Sequence, residues 1–132
     1  MSWKIKRGNT SVQEIPIYTK DGELCDGQSG RPDLSTAEEI RFQVRESPNS
    51  AEIIIEKGLA SGVGGISRND PDPGYVTITI DPADTTASGV ETGLYVMGLQ
   101  IRWSATVIYE VILKIDGEET TEFEIEADIV RT

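Results

Sequence analysis

An all-β domain is what this sequence predicts, on three observations. Apolar residues recur at every second position rather than at the helical period of about 3.6. The segments that carry this alternation are short and bounded by Gly, Pro, Asn, Asp and Ser. No segment has the apolar stripe of a long amphipathic helix. At 132 residues the chain fits one domain, 1–132, long enough to bury a core without metal or disulfide staples.

Taken in order, Trp3 and Ile5 alternate with Ser2, Lys4 and Lys6. Ser11–Tyr18 contains Pro16, which has no N–H for a ladder and so predicts an edge strand or a bulge. Ile40, Phe42 and Val44 alternate with Arg41, Gln43 and Arg45. Glu52–Glu56 reads as a short strand centred on Ile53, Ile54 and Ile55, and Val76, Ile78 and Ile80 alternate with Thr77 and Thr79. Tyr95, Met97, Leu99, Ile101 and Trp103 share one face, with Val96, Gly98, Gln100 and Arg102 opposite.

Val107, Tyr109, Val111, Leu113 and Ile115 share a face too, but Ile108 and Ile112 make the other side apolar. That pattern predicts a strand that is central or covered on both faces. Ser104-Ala105 precedes it as a short turn, and Asp116-Gly117 follows as a tight hairpin turn. In Thr121–Val130, Phe123, Ile125, Ala127 and Ile129 alternate with Glu122, Glu124, Glu126 and Asp128, a half-buried antiparallel strand. Residues 94–130 therefore predict a three-stranded meander, and the whole chain an antiparallel sandwich of about eight strands. Thr36–Glu39 and Asp81–Ala87 each open on a capping residue and predict a single helical turn. The expected core holds Phe42, Ile78, Tyr95, Met97, Leu99, Phe123 and Ile125.

Charge and composition bound the function. Twelve Lys+Arg against 23 Asp+Glu leave a net charge of -11. Such a surface repels phosphate backbones and anionic lipid, which predicts no nucleic-acid or membrane partner. The start, MSWKIKRGNT, has no apolar h-region, so no secretory signal is expected. One Cys and no His exclude an intrachain disulfide, zinc sites built on those ligands and imidazole chemistry. The expectation is a non-enzymatic protein with no catalytic, cofactor-binding or metal residues.

Each suggestive cluster also has a plain reading. Gly58–Gly65 is glycine-rich but lacks the Lys-Ser/Thr of a P-loop and predicts only a loop tip. Asp70, Asp72, Asp81 and Asp84 offer hard oxygen donors for calcium, but their spacing fits no EF-hand and Asp is a common turn residue. Glu122, Glu124, Glu126 and Asp128 lie on one outward face, where no opposed pair forms for glycoside hydrolysis. Their repulsion discourages edge-to-edge aggregation, and a partner meeting them needs Lys or Arg. Cys25 sits in a polar loop between Glu23 and Asp26, whose charges raise its pKa and make it inert. Trp3, Trp103 and the four Tyr suit a sugar platform or an interface, but both Trp fall on core registers. Thr19–Thr36 and Lys57–Gly74 are long connections rich in Gly, Asp, Ser and Pro, expected to be mobile in the isolated chain and to contact a partner.

Glu91-Thr-Gly-Leu-Tyr-Val-Met97 resembles the E–F corner of immunoglobulin-type domains. There a buried Tyr stands two residues before the second disulfide Cys; here Tyr95 matches the Tyr and Met97 falls at the Cys. Phe42 takes the strand where those domains keep a buried Trp. The resemblance implies an immunoglobulin-like antiparallel β-sandwich of about seven to nine strands without the disulfide, as in a reducing cytosol. It also implies that the Tyr95 hydroxyl bonds backbone in or near Thr86–Glu91.

A wider likeness runs through Arg7-Gly-Asn-Thr10, Asp21-Gly, Ile40–Arg45, Gly74–Ile80, Asp81–Thr85, Gly93-Leu-Tyr95 and Asp128-Ile-Val-Arg131. This order is similar to the small Ig-like structural proteins of tailed bacteriophages, among them the N-terminal domain of upper baseplate proteins. The run Gly98–Ile115 is longer and more apolar than that pattern. The resemblance implies a virion subunit of tail, baseplate, neck or head, made in the host bacterial cytoplasm and acting by assembly with other virion subunits. The second class in play is a carbohydrate- or calcium-binding β-sandwich module of a surface or adhesion protein.

Overall fold

The computed structural model describes residues 2–19, 22–59, 64–68, 74–115 and 117–127. Its strands are β1 (Trp3–Lys6), β2 (Ser11–Pro16), β3 (Glu39–Arg45), β4 (Ile55–Gly58), β5 (Ile66–Arg68), β6 (Tyr75–Ile80), β7 (Gly93–Ser104), β8 (Val107–Val111), β9 (Lys114–Ile115), β10 (Glu118–Glu119) and β11 (Glu122–Glu126). A 3₁₀ turn at Leu34–Thr36 and the one-turn helix α1 (Pro82–Thr86) are the helical pieces among the described residues. The all-β expectation holds.

A six-stranded sheet runs β1-β11-β7-β3-β4 with β8 attached to β7, and a three-stranded sheet runs β2-β6-β5. β9 and β10 form a separate ribbon. β7 organises the larger sheet because its 12 residues outrun every neighbour. Val96 pairs with both Arg45 and Glu122, and Leu99 with both Phe42 and Val111. A strand has two edges, so β3 takes one, and β11 and β8 follow one another along the other.

One core receives both sheets. Ile15, Val76, Ile78 and Ile80 come from the smaller sheet, and Trp3, Ile5, Phe42, Met97, Leu99, Phe123 and Ile125 from the larger. β1 lies parallel to β11, setting Trp3 beside Phe123 and Ile5 beside Ile125. Trp3, Phe42 and Phe123 meet with ring centroids 5.4 to 6.4 Å apart, each such pair adding about 0.5–1.5 kcal/mol beyond area burial. The seven residues expected in the core are all buried. Tyr95 is among them: its hydroxyl donates to the Glu91 carbonyl at 2.6 Å and accepts from the Glu91 N–H at 3.3 Å.

Several expectations need correction. The sheet is mixed, not wholly antiparallel, because β11 pairs parallel with β1 as well as antiparallel with β7. The meander fails at its third strand: β11 returns to β7 rather than pairing with its predecessor. The strand expected at Glu52–Glu56 lies at Ile55–Gly58, since Ile55 is buried while Ile53 is exposed. The turn expected at Thr36–Glu39 falls at Leu34–Thr36, where the Asp33 carboxylate accepts from the Ser35 N–H, and Glu39 already belongs to β3. The helical turn in Asp81–Ala87 forms as α1. Pro16 sits, as expected, on an edge strand.

The Thr19–Thr36 connection is no open loop. Cys25 and Leu34 are buried, and bridges join Tyr18 to Leu24 and Asp26 to Asp33. Arg31 closes the turn with two bonds to Asp26, at 2.8 and 2.9 Å. In Lys57–Gly74, Lys57 and Gly58 finish β4 and Ile66–Arg68 form β5, so part of that connection is sheet.

Candidate interaction surface

β8 departs most from its sequence pattern. The turn before it is tight: Ser104 Oγ accepts from the Thr106 and Val107 N–H groups at 3.3 and 3.2 Å, and the pairing slips by a bulge between Arg102 and Ser104. From there Val107–Val111 pairs with β7 on one edge, and no described residue pairs with the other. Val107 is 38% exposed, Ile108 47%, Tyr109 41% and Ile112 45%. The expectation of a strand covered on both faces is overturned. Tyr109 lies opposite the buried Ile101, and its ring meets Trp103 edge-on at 5.5 Å.

Beneath β8 the folded Thr19–Thr36 connection forms a wall. The Trp103 indole N–H donates to the Asp33 carbonyl at 2.9 Å, fixing the ring against that segment. A cleft of about 130 Å³ is lined by Tyr18, Cys25, Trp103, Tyr109 and Val111 among others. Cys25 is buried there, not set in an open polar loop, and its N–H donates to the Ile17 carbonyl at 2.9 Å. Burial first, and the neighbouring Asp26 carboxylate second, push its thiol up to about 11. A thiol so protonated is a poor nucleophile. The Arg31 guanidinium, with the Gln28 N–H, holds the Asp26 carboxyl below the usual carboxylate range.

The other sequence candidates are dispersed. Lys57, only 6% exposed, places its ammonium 2.7 Å from Asp84 and 3.6 Å from Asp81. Asp84 also accepts from the Asp81 N–H at 2.7 Å, capping α1. These two carboxylates therefore hold the chain's own cation, and no described His, Cys, Asp or Glu group is placed to bind a metal. Asp70 and Asp72 lie outside the described residues. Lys57 was not legible as buried: the one signal is that it shares its strand face with Ile55. Gly65, at φ 85°, is needed because a Cβ there would overlap the Lys57 stem. Of the rest of Gly58–Gly65, Gly58 ends β4 and donates to the Gly64 carbonyl at 2.9 Å.

The carboxylate row lies inside the sheet, so it guards no edge. Glu124 stands in register with Lys4, and Glu126 with Lys6, whose ammonium is 3.8 Å away. Cations of the same chain thus meet this face, a half-exposed arrangement of small energetic worth. Asp128 lies outside the described residues. Trp3 and Tyr95 pack in the core, while Trp103 and Tyr109 border the β8 surface. On the opposite face of the sheet, a concavity of about 620 Å³ is lined by Arg41, Gln43, Arg45, Gly98, Gln100 and Glu110 among others. Among the described residues no aromatic ring lines it. No protein-family model and no curated protein matches the chain.

Proposed function

We propose that this chain is a non-enzymatic structural subunit that works by joining other protein subunits, and that its domain is an Ig-like β-sandwich. Strand order supports the fold reading. β2-β6-β5 follows the B-E-D order of such domains, and β11-β7-β3-β4 follows G-F-C plus the extra strand of the variable type. The Tyr95–Glu91 bonds have the form of a tyrosine corner at the start of the F-like strand. Met97, buried, takes the position of the absent disulfide Cys. The virion role, with virion subunits as partners and assembly in a host bacterial cytoplasm, rests on the resemblance to phage Ig-like structural proteins.

The observation that carries the assembly reading is the outer edge of β8, which no described residue pairs, with apolar side chains on both faces. Natural edge strands are usually blunted by charge, proline or a cover, because an unpaired row of N–H and C=O groups templates pairing. β8 has one charged residue, Glu110, and no proline. Mass spectrometry and electron microscopy of the source particles test the reading. This chain is expected in stoichiometric copies with β8 in a subunit contact. Particles without it, or a bound chain with β8 in solvent, overturn the reading.

A further inference from the structure

We propose that an extended segment of a partner protein, with acidic side chains along one flank and basic ones along the other, lies over Gly98 on the outer face of β7. That the partner is another subunit rests on the subunit reading. The surface itself is a second one, on the sheet face rather than on the edge of β8.

Gly98 is the first observation. It sits in the middle of β7, and its φ lies outside the left-handed region, so the backbone does not call for glycine there. A Cβ built on it meets nothing within 4 Å, so packing does not call for glycine either. Glycine inside a strand weakens it, and where the fold supplies no reason it marks the close approach of another backbone or a ligand. Gly98 lines the concavity of about 620 Å³, with Gln43 directly beside it on β3.

Charge is the second observation. Two rows of residues cross the sheet on either side of Gly98. In one, Arg41 of β3, Gln100 of β7 and Glu110 of β8 stand side by side; in the other, Arg45 of β3, Val96 of β7 and Glu122 of β11. Paired residues point to one face, and Val96, Gly98 and Gln100 share parity, so both rows border the same trough. Its β3 side is a cationic wall and its other side an anionic one, two strand spacings or about 9.5 Å apart. These charges are largely unspent. Among the described residues no ion pair forms to Arg45, Glu110 or Glu122, and the carboxylate nearest Arg41 is that of Glu39, at 4.0 Å. The Arg41 Nε is buried with no hydrogen-bond partner among the described residues. Arg45 donates to the Ser50 carbonyl at 2.6 Å and to Gln43 Oε1 at 2.8 Å, and Gln43 donates to Glu56 at 2.8 Å, which holds the cationic wall in place.

The chemistry of the occupant follows from these signs. An extended chain sends its side chains alternately to either flank. Carboxylates on one flank meet Arg41 and Arg45, which lie four residues or about 13.5 Å apart along β3. Cations on the other flank meet Glu110 and Glu122. A segment with both signs in balance has no net charge, so the chain's own -11 does not repel it at long range. An all-acidic segment is repelled, and an all-basic one is drawn to the whole surface rather than to this trough.

The probe is a blocked hexapeptide of alternating Glu and Lys, titrated into the full chain and followed by amide NMR, with hexaglutamate and hexalysine for comparison. The alternating peptide is expected to shift the Gly98 amide and the Gln43 side-chain amide, and to bind there several-fold tighter than either homopolymer. Gly98→Val fills open space with a strand-forming residue, so the melting temperature is expected to hold or rise while peptide binding weakens about tenfold or more. Glu110 and Glu122 are exposed, so Glu110→Lys combined with Glu122→Lys spares the fold, makes both walls cationic and is expected to shift the preference to hexaglutamate. No shift at Gly98, undiminished binding by Gly98→Val, a fall in its melting temperature, equal shifts with hexalysine, or an unchanged preference in the double variant overturns the proposal. If the peptide fails but particles hold the chain with β8 in a subunit contact, this inference fails while the subunit reading survives. If the peptide binds over Gly98 but the chain is absent from particles, the trough stands and the subunit reading fails.

Discussion

β6 (Tyr75–Ile80) and β8 (Val107–Val111) draw on the same β-forming residue types, yet they meet different surroundings. β6 has β2 on one edge and β5 on the other, and Val76, Ile78 and Ile80 are 0% exposed beneath the larger sheet. Among the described residues β8 pairs with β7 alone, and its Tyr109 stands opposite Ile101 yet is 41% exposed. Side-chain composition thus decides that both segments are strands, while the length of the facing sheet decides which becomes core. β7 is long enough to carry a partner beyond the region that β2, β6 and β5 cover, and whatever pairs there is left apolar and open.

The sharpest test of that contrast is truncation on β6. Ile78→Ala removes a wholly buried side chain between the sheets and is expected to destabilise the fold by about 2–5 kcal/mol in chemical denaturation. A loss below about 1 kcal/mol would mean that the smaller sheet does not pack on the larger as described.

Cys25 reports whether β8 stays docked over its cleft. Its thiol is raised from an ordinary 9.0 to about 11, so the folded protein carries about a hundredfold less thiolate at pH 8 than the unfolded chain. Labelling by a thiol reagent at pH 8 is therefore expected to be slow when folded and fast in denaturant. Because the folded state holds the proton more tightly, it gains stability from this group below pH 9. That gain is lost as pH rises from 9 towards 11. Rapid labelling of the folded chain would show that β8 and the Thr19–Thr36 segment open readily.

The corner at the start of β7 gives a smaller effect. Tyr95→Phe keeps the ring in the core but removes the hydroxyl that serves both the Glu91 carbonyl and N–H. The expected cost is about 1 kcal/mol, read as a shift of the denaturation midpoint at unchanged slope. An unchanged midpoint would mean that water replaces the hydroxyl without loss, and that the corner does not set the register of β7.

Alternation made the core legible, because a period of two depends only on the residues of one strand. Phe42, Ile78, Leu99, Phe123 and Ile125 are buried as their parity predicts. The Tyr95 corner was legible too, since its partner lies four residues away. What the sequence could not carry is which strand lies next to which. Ile108 and Ile112, opposite Val107 and Tyr109, read equally well as doubly covered or as an exposed edge. The outcome turns on β11 taking the N-terminal half of the β7 edge, a contact made from far along the chain. The candidate surface was hidden by the same ambiguity. Isolated apolar residues in polar segments, such as Cys25 and Leu34, have no period at all, so their burial appears only once Ile17 and Trp103 are placed around them.

The smallest expected effect falls on β8 itself and completes the comparison. Ile108 is 47% exposed and Ile112 45%, so truncating either loses only part of the burial that a core isoleucine loses and leaves no enclosed cavity. Ile108→Ala and Ile112→Ala are each expected to change unfolding stability by no more than about 0.5 kcal/mol in dilute solution. The same residue type on β6 should cost several times more. A large loss in dilute solution would place β8 within the core of the monomer.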